Sequence, residues 1–206
     1  NTTVRTRWRR CFFDPLAQSF SVGGIRDQAP NTEGPGNDEH GVFITSVDLF
    51  FARKDPGNQP ITVEIRTMEL GTPTMNVIGK PVTLVPEDIT VNPTAEVATN
   101  VKFHEPIYLE AGEEYALVLL APTSDQYEMW IARMGESTVN TQSLPDASAV
   151  IYTQQWALGS LFLSQNGSIW TANQREDLKF KLYRSKFSSN TGSVFFTNPT
   201  LNKSNG

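Results

Sequence analysis

Only one cysteine, Cys11, and two histidines, His40 and His104, stand among 206 residues. A lone thiol builds neither an internal disulfide framework nor a zinc-binding cysteine cluster, so cysteine usage leaves the redox compartment open. Charge is also sparse: 17 Lys and Arg against 22 Asp and Glu give a net charge of −5. An acidic balance of this kind argues against general binding to nucleic acid or to an anionic membrane surface. No apolar run approaches the roughly 18–20 residues of a membrane span, and the opening residues lack the pattern of a signal peptide. No segment keeps apolar residues in helical register over three turns, so no helix of normal length is expected. A Gly-x-Ser-x-Gly elbow is missing, and neither histidine has a metal-ligating partner at fixed spacing. The expectation is a chain without catalytic residues, metal or cofactor.

What is present is strand and turn. Fourteen Gly and thirteen Pro residues occur without a collagen period, which suits many short strands joined by turns. Tyr115 to Leu120 is apolar without a break, as in a strand covered on both faces, and is the expected spine. Around it, alternation predicts strands over Ala17–Val22, Val42–Ala52, Ile61–Ile65, Val82–Val85, Ile89–Val91, Val101–Phe103, Pro106–Leu109, Tyr127–Ile131 and Leu178–Leu182. In the strand at Ile61, Val63 and Ile65, the intervening Thr62, Glu64 and Arg66 predict a wet face. Residues 53–60 and the Leu70-Gly-Thr-Pro step read as breaks, and Asn166-Gly167 as a tight turn between Leu161-Phe-Leu and Ile169-Trp170. Roughly ten such strands, spaced by about 8–12 residues, predict an all-β fold: an antiparallel β-sandwich, jelly-roll-like, with extended ends.

Three regions follow: an arm over residues 1–13, the sandwich over 14–185, and an extension or linker over 186–206. The arm carries Arg5, Arg7, Arg9 and Arg10 around Trp8, a positive island in an acidic chain. Arg and Trp are favoured where proteins dock, so these five residues are candidate assembly contacts; an edge strand with solvated arginines is the equal alternative. The loops Gly23–Gly41 and Gly135–Ala149 are long enough to contact neighbours. Glu33, Asp38 and Glu39 lack the fixed spacing of a calcium loop. The chain begins at Asn1 and closes on a polar run, so a segment of a longer or processed polypeptide is expected.

Several stretches together resemble one family. Asp14-Pro-Leu-Ala-Gln-Ser-Phe, Gly41-Val-Phe-Ile-Thr-Ser-Val-Asp-Leu-Phe-Phe and Pro60-Ile-Thr-Val-Glu-Ile-Arg with Gly71-Thr-Pro are similar to the β-sandwich module of tailed-phage structural proteins, notably tail and baseplate proteins of contractile-tailed, T-even-type phages and cyanophages. Phe103-His-Glu-Pro-Ile-Tyr-Leu-Glu-Ala-Gly-Glu-Glu-Tyr-Ala-Leu-Val-Leu, Tyr127-Glu-Met-Trp-Ile-Ala-Arg-Met-Gly, Ser160-Leu-Phe-Leu-Ser-Gln-Asn-Gly-Ser-Ile-Trp-Thr and Asp177-Leu-Lys-Phe-Lys-Leu-Tyr-Arg extend it over about Asp14 to Phe196. The resemblance is distributed and carries no catalytic motif. It implies a non-enzymatic virion building block, localised to a tail or baseplate and partnered by other virion proteins in a symmetric or homo-oligomeric assembly. A looser similarity, in the Gly-x-x-Tyr-Ala-Leu-Val-Leu step, is to bacterial surface β-sandwich modules.

A binding module is the alternative. Tyr127, Trp130, Tyr152, Trp156 and Trp170 are aromatics on which sugar rings could stack, giving host-surface glycan recognition. The competing reading, preferred here, places those rings in the core or in subunit contacts. His104, beside Glu105, reads as a polar residue on the wet side of its strand, and the acids of Glu87-Asp88 and Glu113-Glu114 as solvated turn residues.

Overall fold

The computed structural model describes residues 15–23, 41–138, 151–152, 159–187 and 193. Within them lie β1 (Leu16–Ser21), β2 (Gly41–Leu49), β3 (Phe51–Arg53), β4 (Ile61–Glu69), β5 (Thr72–Leu84), a 3₁₀ turn (Pro86–Asp88), β6 (Thr99–Glu110) and β7 (Glu114–Leu120). The chain continues through β8 (Glu128–Met129), β9 (Ile131–Arg133), β10 (Leu161–Ser164), β11 (Trp170–Asn173), β12 (Glu176–Leu178) and β13 (Phe180–Arg184). One sheet has six strands in the order β11-β10-β1-β7-β4-β5. Facing it are β13-β2-β6 and two short ladders, β12-β9 and β3-β8. Every ladder is antiparallel. The fold is therefore the all-β, sandwich-like architecture that the alternation predicts.

Cross-strand register explains why the layers stick. On β4, β7 and β1, Val63 faces Leu119 and Leu119 faces Leu16, while Ile65 faces Leu117. These side chains meet Ile44, Val47, Leu49, Val101, Ile107 and Leu109 of the second layer in one buried cluster. Gln18 lies on this inner face with no exposed surface. Its amide oxygen accepts the Leu178 N–H at 2.8 Å and its nitrogen donates to Asp177 Oδ1 at 3.2 Å, so this buried polar group ties the two layers together.

The opposite face of the six-stranded sheet overturns the expected wet face of β4. Glu64 is only 9% exposed and Arg66 only 4%. Arg66 Nη2 lies 2.7 Å from Glu64 Oε2, and Nε donates to the same oxygen at 2.8 Å. Arg66 Nη1 reaches the Gly167 carbonyl at 3.2 Å. Gly167 belongs to the β10–β11 turn, so that hairpin folds back over the sheet. Phe162 and Trp170 pack there on Ala17, Ala116 and Val118, with Met68 and Leu120 alongside. The two alanines leave room for the rings. β10 reaches β1 through Gly159, where an added Cβ would sit 2.0 Å from the Ser19 carbonyl oxygen.

Several expected strands differ in detail. Val42–Ala52 and Tyr127–Ile131 are each interrupted, at Phe50 and Trp130, and Leu178–Leu182 is interrupted at Lys179. One junction causes all three breaks: the Trp130 N–H donates to Phe50 O at 3.0 Å, and the Lys179 N–H donates to Trp130 O at 2.9 Å. β2 and β13 pair through Leu49 and Phe180 and then part, and the segment carrying Trp130 enters the fork. β5 is far longer than the expected Val82–Val85, because Pro73, Gly79 and Pro81 look like breakers. They are tolerated on a strand that pairs only with β4. Ile89–Val91 is not a strand; Val91 makes a single parallel bridge with Phe51 after the 3₁₀ turn. Val101–Phe103 and Pro106–Leu109 merge into β6, with His104, Glu105 and Pro106 in an irregularity opposite Thr45.

Candidate functional site

A concavity opens at the end of the sandwich where β1 and β4 begin and β7 ends. Leu16, Ile61, Leu119, Ala121, Tyr127 and Met129 wall it, Ser124 and Asp125 lie at its polar edge, and its volume is about 140 Å³. A void of roughly that size accepts one benzene-sized group when its walls are apolar.

The turn beneath it is built by Asp55. Its Oδ1 accepts the backbone N–H of Gly57 at 2.6 Å and of Gln59 at 3.1 Å, and its Oδ2 accepts the Ser124 hydroxyl. That is an Asx-type turn, the role for which aspartate is suited in a Pro-Gly-Asn setting. The Ser124 hydroxyl, and then the Gln59 N–H, hold the Asp55 carboxyl below its ordinary value of 3.8; burial works in the opposite direction. The Tyr127 hydroxyl donates to Gln59 O, and its ring packs on Phe51 with centroids 6.2 Å apart. Burial, followed by the nearby Asp55 charge, pushes the Tyr127 phenol upward. These polar groups serve the turn: Asp55 is held ionised by three donors and Tyr127 is held protonated. The cleft offers a greasy hole with a polar rim.

The aromatic residues singled out from the sequence fall into separate settings. Tyr127 packs against the inter-sheet cluster and Trp170 lies in the outer-face cluster, on the other side of the six-stranded sheet. Trp130 is half-buried at the fork, its indole N–H donating to Asn92 O at 2.8 Å. Tyr152 is 36% exposed. Trp156 lies outside the described residues, as do Arg5, Trp8, the rest of the arm and most of both long loops. Tyr127, Trp130 and Trp170 therefore share no common patch. The Trp170 indole N–H is buried without an acceptor among the described residues. His104 is exposed in the β6 irregularity, Glu87 and Asp88 are exposed on the 3₁₀ turn, and His40 is outside the described residues. Among the described residues, no group of three or more His, Cys, Asp or Glu gathers as a metal site, and no helix is long and apolar enough to cross a membrane.

Two exposed features are missed by sequence reasoning. On the outer face of β13-β2-β6, the Phe43 ring meets Tyr108 at 5.0 Å and Phe187 at 5.5 Å, and Tyr108 and Phe187 are exposed. Further along β2, the Tyr183 hydroxyl and the Asn100 amide both donate to Asp48. At the β4–β5 turn, Leu70 is 98% exposed with φ +49°, and Gly71 follows with φ +73°. The signal for the second was present: Leu-Gly sits where a two-residue hairpin loop normally places Asn-Gly. Compared with protein-family models, curated proteins and solved structures, the chain matches none.

Proposed function

We propose that this chain is a non-enzymatic virion module, part of the tail or baseplate of a tailed phage, working through protein–protein contacts. The phage assignment is supported by the distributed sequence resemblance over about Asp14 to Phe196. The docking role is supported by one observation above others: apolar groups stand outward at a loop tip, while the polar groups of the end cleft are occupied within the fold. Leu70 is 98% exposed, and Asp55, Ser124 and Tyr127 bond one another's turn. A rigid two-layer body with such a surface contributes by shape and by desolvation of a few anchors. In an intact particle the partners are other virion proteins or further copies of this chain.

The direct test is immunogold labelling of purified particles with an antibody to the chain. Label on the tail or baseplate is expected; particles that carry none overturn the reading. Glycan recognition is a second reading, favoured by the exposed Tyr108 and Phe187 rings packed on Phe43. Saturable binding to host-surface polysaccharide that Tyr108→Ala abolishes would promote it over the first.

A further inference from the structure

An Asn-Gly step is the dipeptide most prone to lose ammonia, because glycine has no side chain to hinder attack by its backbone nitrogen on the carboxamide before it. The chain has two such steps, Asn166-Gly167 and Asn205-Gly206, and the second lies outside the described residues. Asn166 stands exposed at the β10–β11 turn, where water reaches its side chain. Gly167 beside it is buried.

The two reacting groups are restrained separately. Asn166 Oδ1 accepts the backbone N–H of Ser168 at 3.0 Å and of Ile169 at 2.8 Å, which pins the carboxamide over the turn. The Gly167 N–H donates to Ser164 Oγ at 2.9 Å. Ser164 is itself buried, and its hydroxyl donates to Ile169 O. Ring closure requires the Gly167 nitrogen to lose its proton. Burial disfavours the resulting anion, and the bond to Ser164 goes with the proton. The reactants are therefore adjacent, complete and held back.

We infer that Asn166-Gly167 is a gated modification site, which deamidates only when the β10–β11 turn opens, with Ser164 as its latch. In the open turn, hydroxide takes the Gly167 amide proton and the nitrogen attacks Asn166 Cγ. A ring C–N bond forms, and the carboxamide nitrogen leaves as ammonia. Water then adds to either carbonyl of the succinimide. One ring opening gives aspartate; the other gives isoaspartate, whose main chain is longer by a methylene between residues 166 and 167. The aspartate product keeps an acceptor for Ser168 and Ile169. The isoaspartate product displaces the Gly167 carbonyl, which accepts from Arg66 Nη1 at 3.2 Å. The modification thereby reaches the buried Glu64–Arg66 pair, for which a lost partner is costly. The chemistry needs only this chain and water, and it is independent of the assembly reading.

The test is incubation of the full 206-residue chain in mildly alkaline buffer, with peptide mapping by mass spectrometry to separate Asn166 from Asn205. Deamidation at Asn166 should be at least about tenfold slower in the folded chain than in the same chain unfolded in guanidinium chloride, as when local opening must precede chemistry. Ser164→Ala should bring the folded rate most of the way to the unfolded one and leave the unfolded rate unchanged. Leu117→Ala weakens the core without touching the turn and should keep the parent's folded rate, which separates a local latch from general loss of stability. Aged chains enriched in isoaspartate should unfold at lower urea than Asn166→Asp. Equal rates in the folded and unfolded parent overturn the inference, as does a Ser164→Ala rate no faster than the parent's. Leu117→Ala accelerating as much as Ser164→Ala overturns the latch, and isoaspartate chains as stable as Asn166→Asp overturn the link to Arg66.

Discussion

Toward the second layer, β4 and β7 present Ile61, Val63, Ile65, Leu117 and Leu119; on the reverse they present Glu64, Arg66, Ala116 and Val118. Both faces are removed from water. The inner face achieves this with large branched side chains that interlock with another sheet. The outer face uses small residues, two aromatic rings from a folded-back hairpin, and a charge pair that the hairpin carbonyl of Gly167 helps to satisfy. Inner-face packing is close to forgiving among apolar residues of similar volume. The outer face depends on every polar atom finding its partner, because a buried charge left alone is far costlier than a lost contact.

The largest effect should therefore come from the face with fewer large apolar groups. Arg66→Ala leaves Glu64 buried and unpaired and should cost about 4 kcal/mol in urea unfolding. Leu117→Ala, on the inner face, should cost about 3 kcal/mol. If the order is reversed, the contrast between the faces fails. Trp170→Phe should cost about 1 kcal/mol or less, since lost packing is offset by removal of a buried N–H that has no acceptor among the described residues. Replacing the pair together, Glu64→Leu with Arg66→Met, should fall within about 1 kcal/mol of the parent, because a well-packed apolar pair can substitute for a buried ionic one.

A comparison off both faces sharpens this one. The Asp55 carboxyl lies below its ordinary 3.8, so its contribution is present at neutral pH and is lost as pH falls through and below that value. Asp55→Asn should lower the melting temperature at pH 7 and converge on the parent in acid, whereas Leu117→Ala should keep its deficit at every pH.

How much was legible follows the same division. β7 reads from its residues because an unbroken apolar run fits only a strand enclosed on both sides. β4 misleads because alternation reports polarity and not exposure; the partner that makes Arg66 at home lies 101 residues away at Gly167. The interruptions at Phe50, Trp130 and Lys179 carry no compositional mark, since each residue suits a strand and only their mutual hydrogen bonds divide it. Residues 53–60 were legible as a turn from Asp-Pro-Gly-Asn. The cleft above them was not, because its walls come from four stretches brought together only by the sheet order. The sugar-platform candidates were chosen by residue type, and type alone does not say that Tyr127 and Trp170 lie on opposite sides of one sheet.

The hairpin that closes the outer face also sets a schedule for synthesis. β1 needs β10 as a neighbour, and the Ser160 N–H reaches back 141 residues to the Ser19 hydroxyl. A ribosome therefore releases most of the polypeptide before the sheet can complete itself, and Ala116 and Val118 wait uncovered until Trp170 emerges. Such late, distant pairing slows folding and leaves the nascent chain exposed to aggregation.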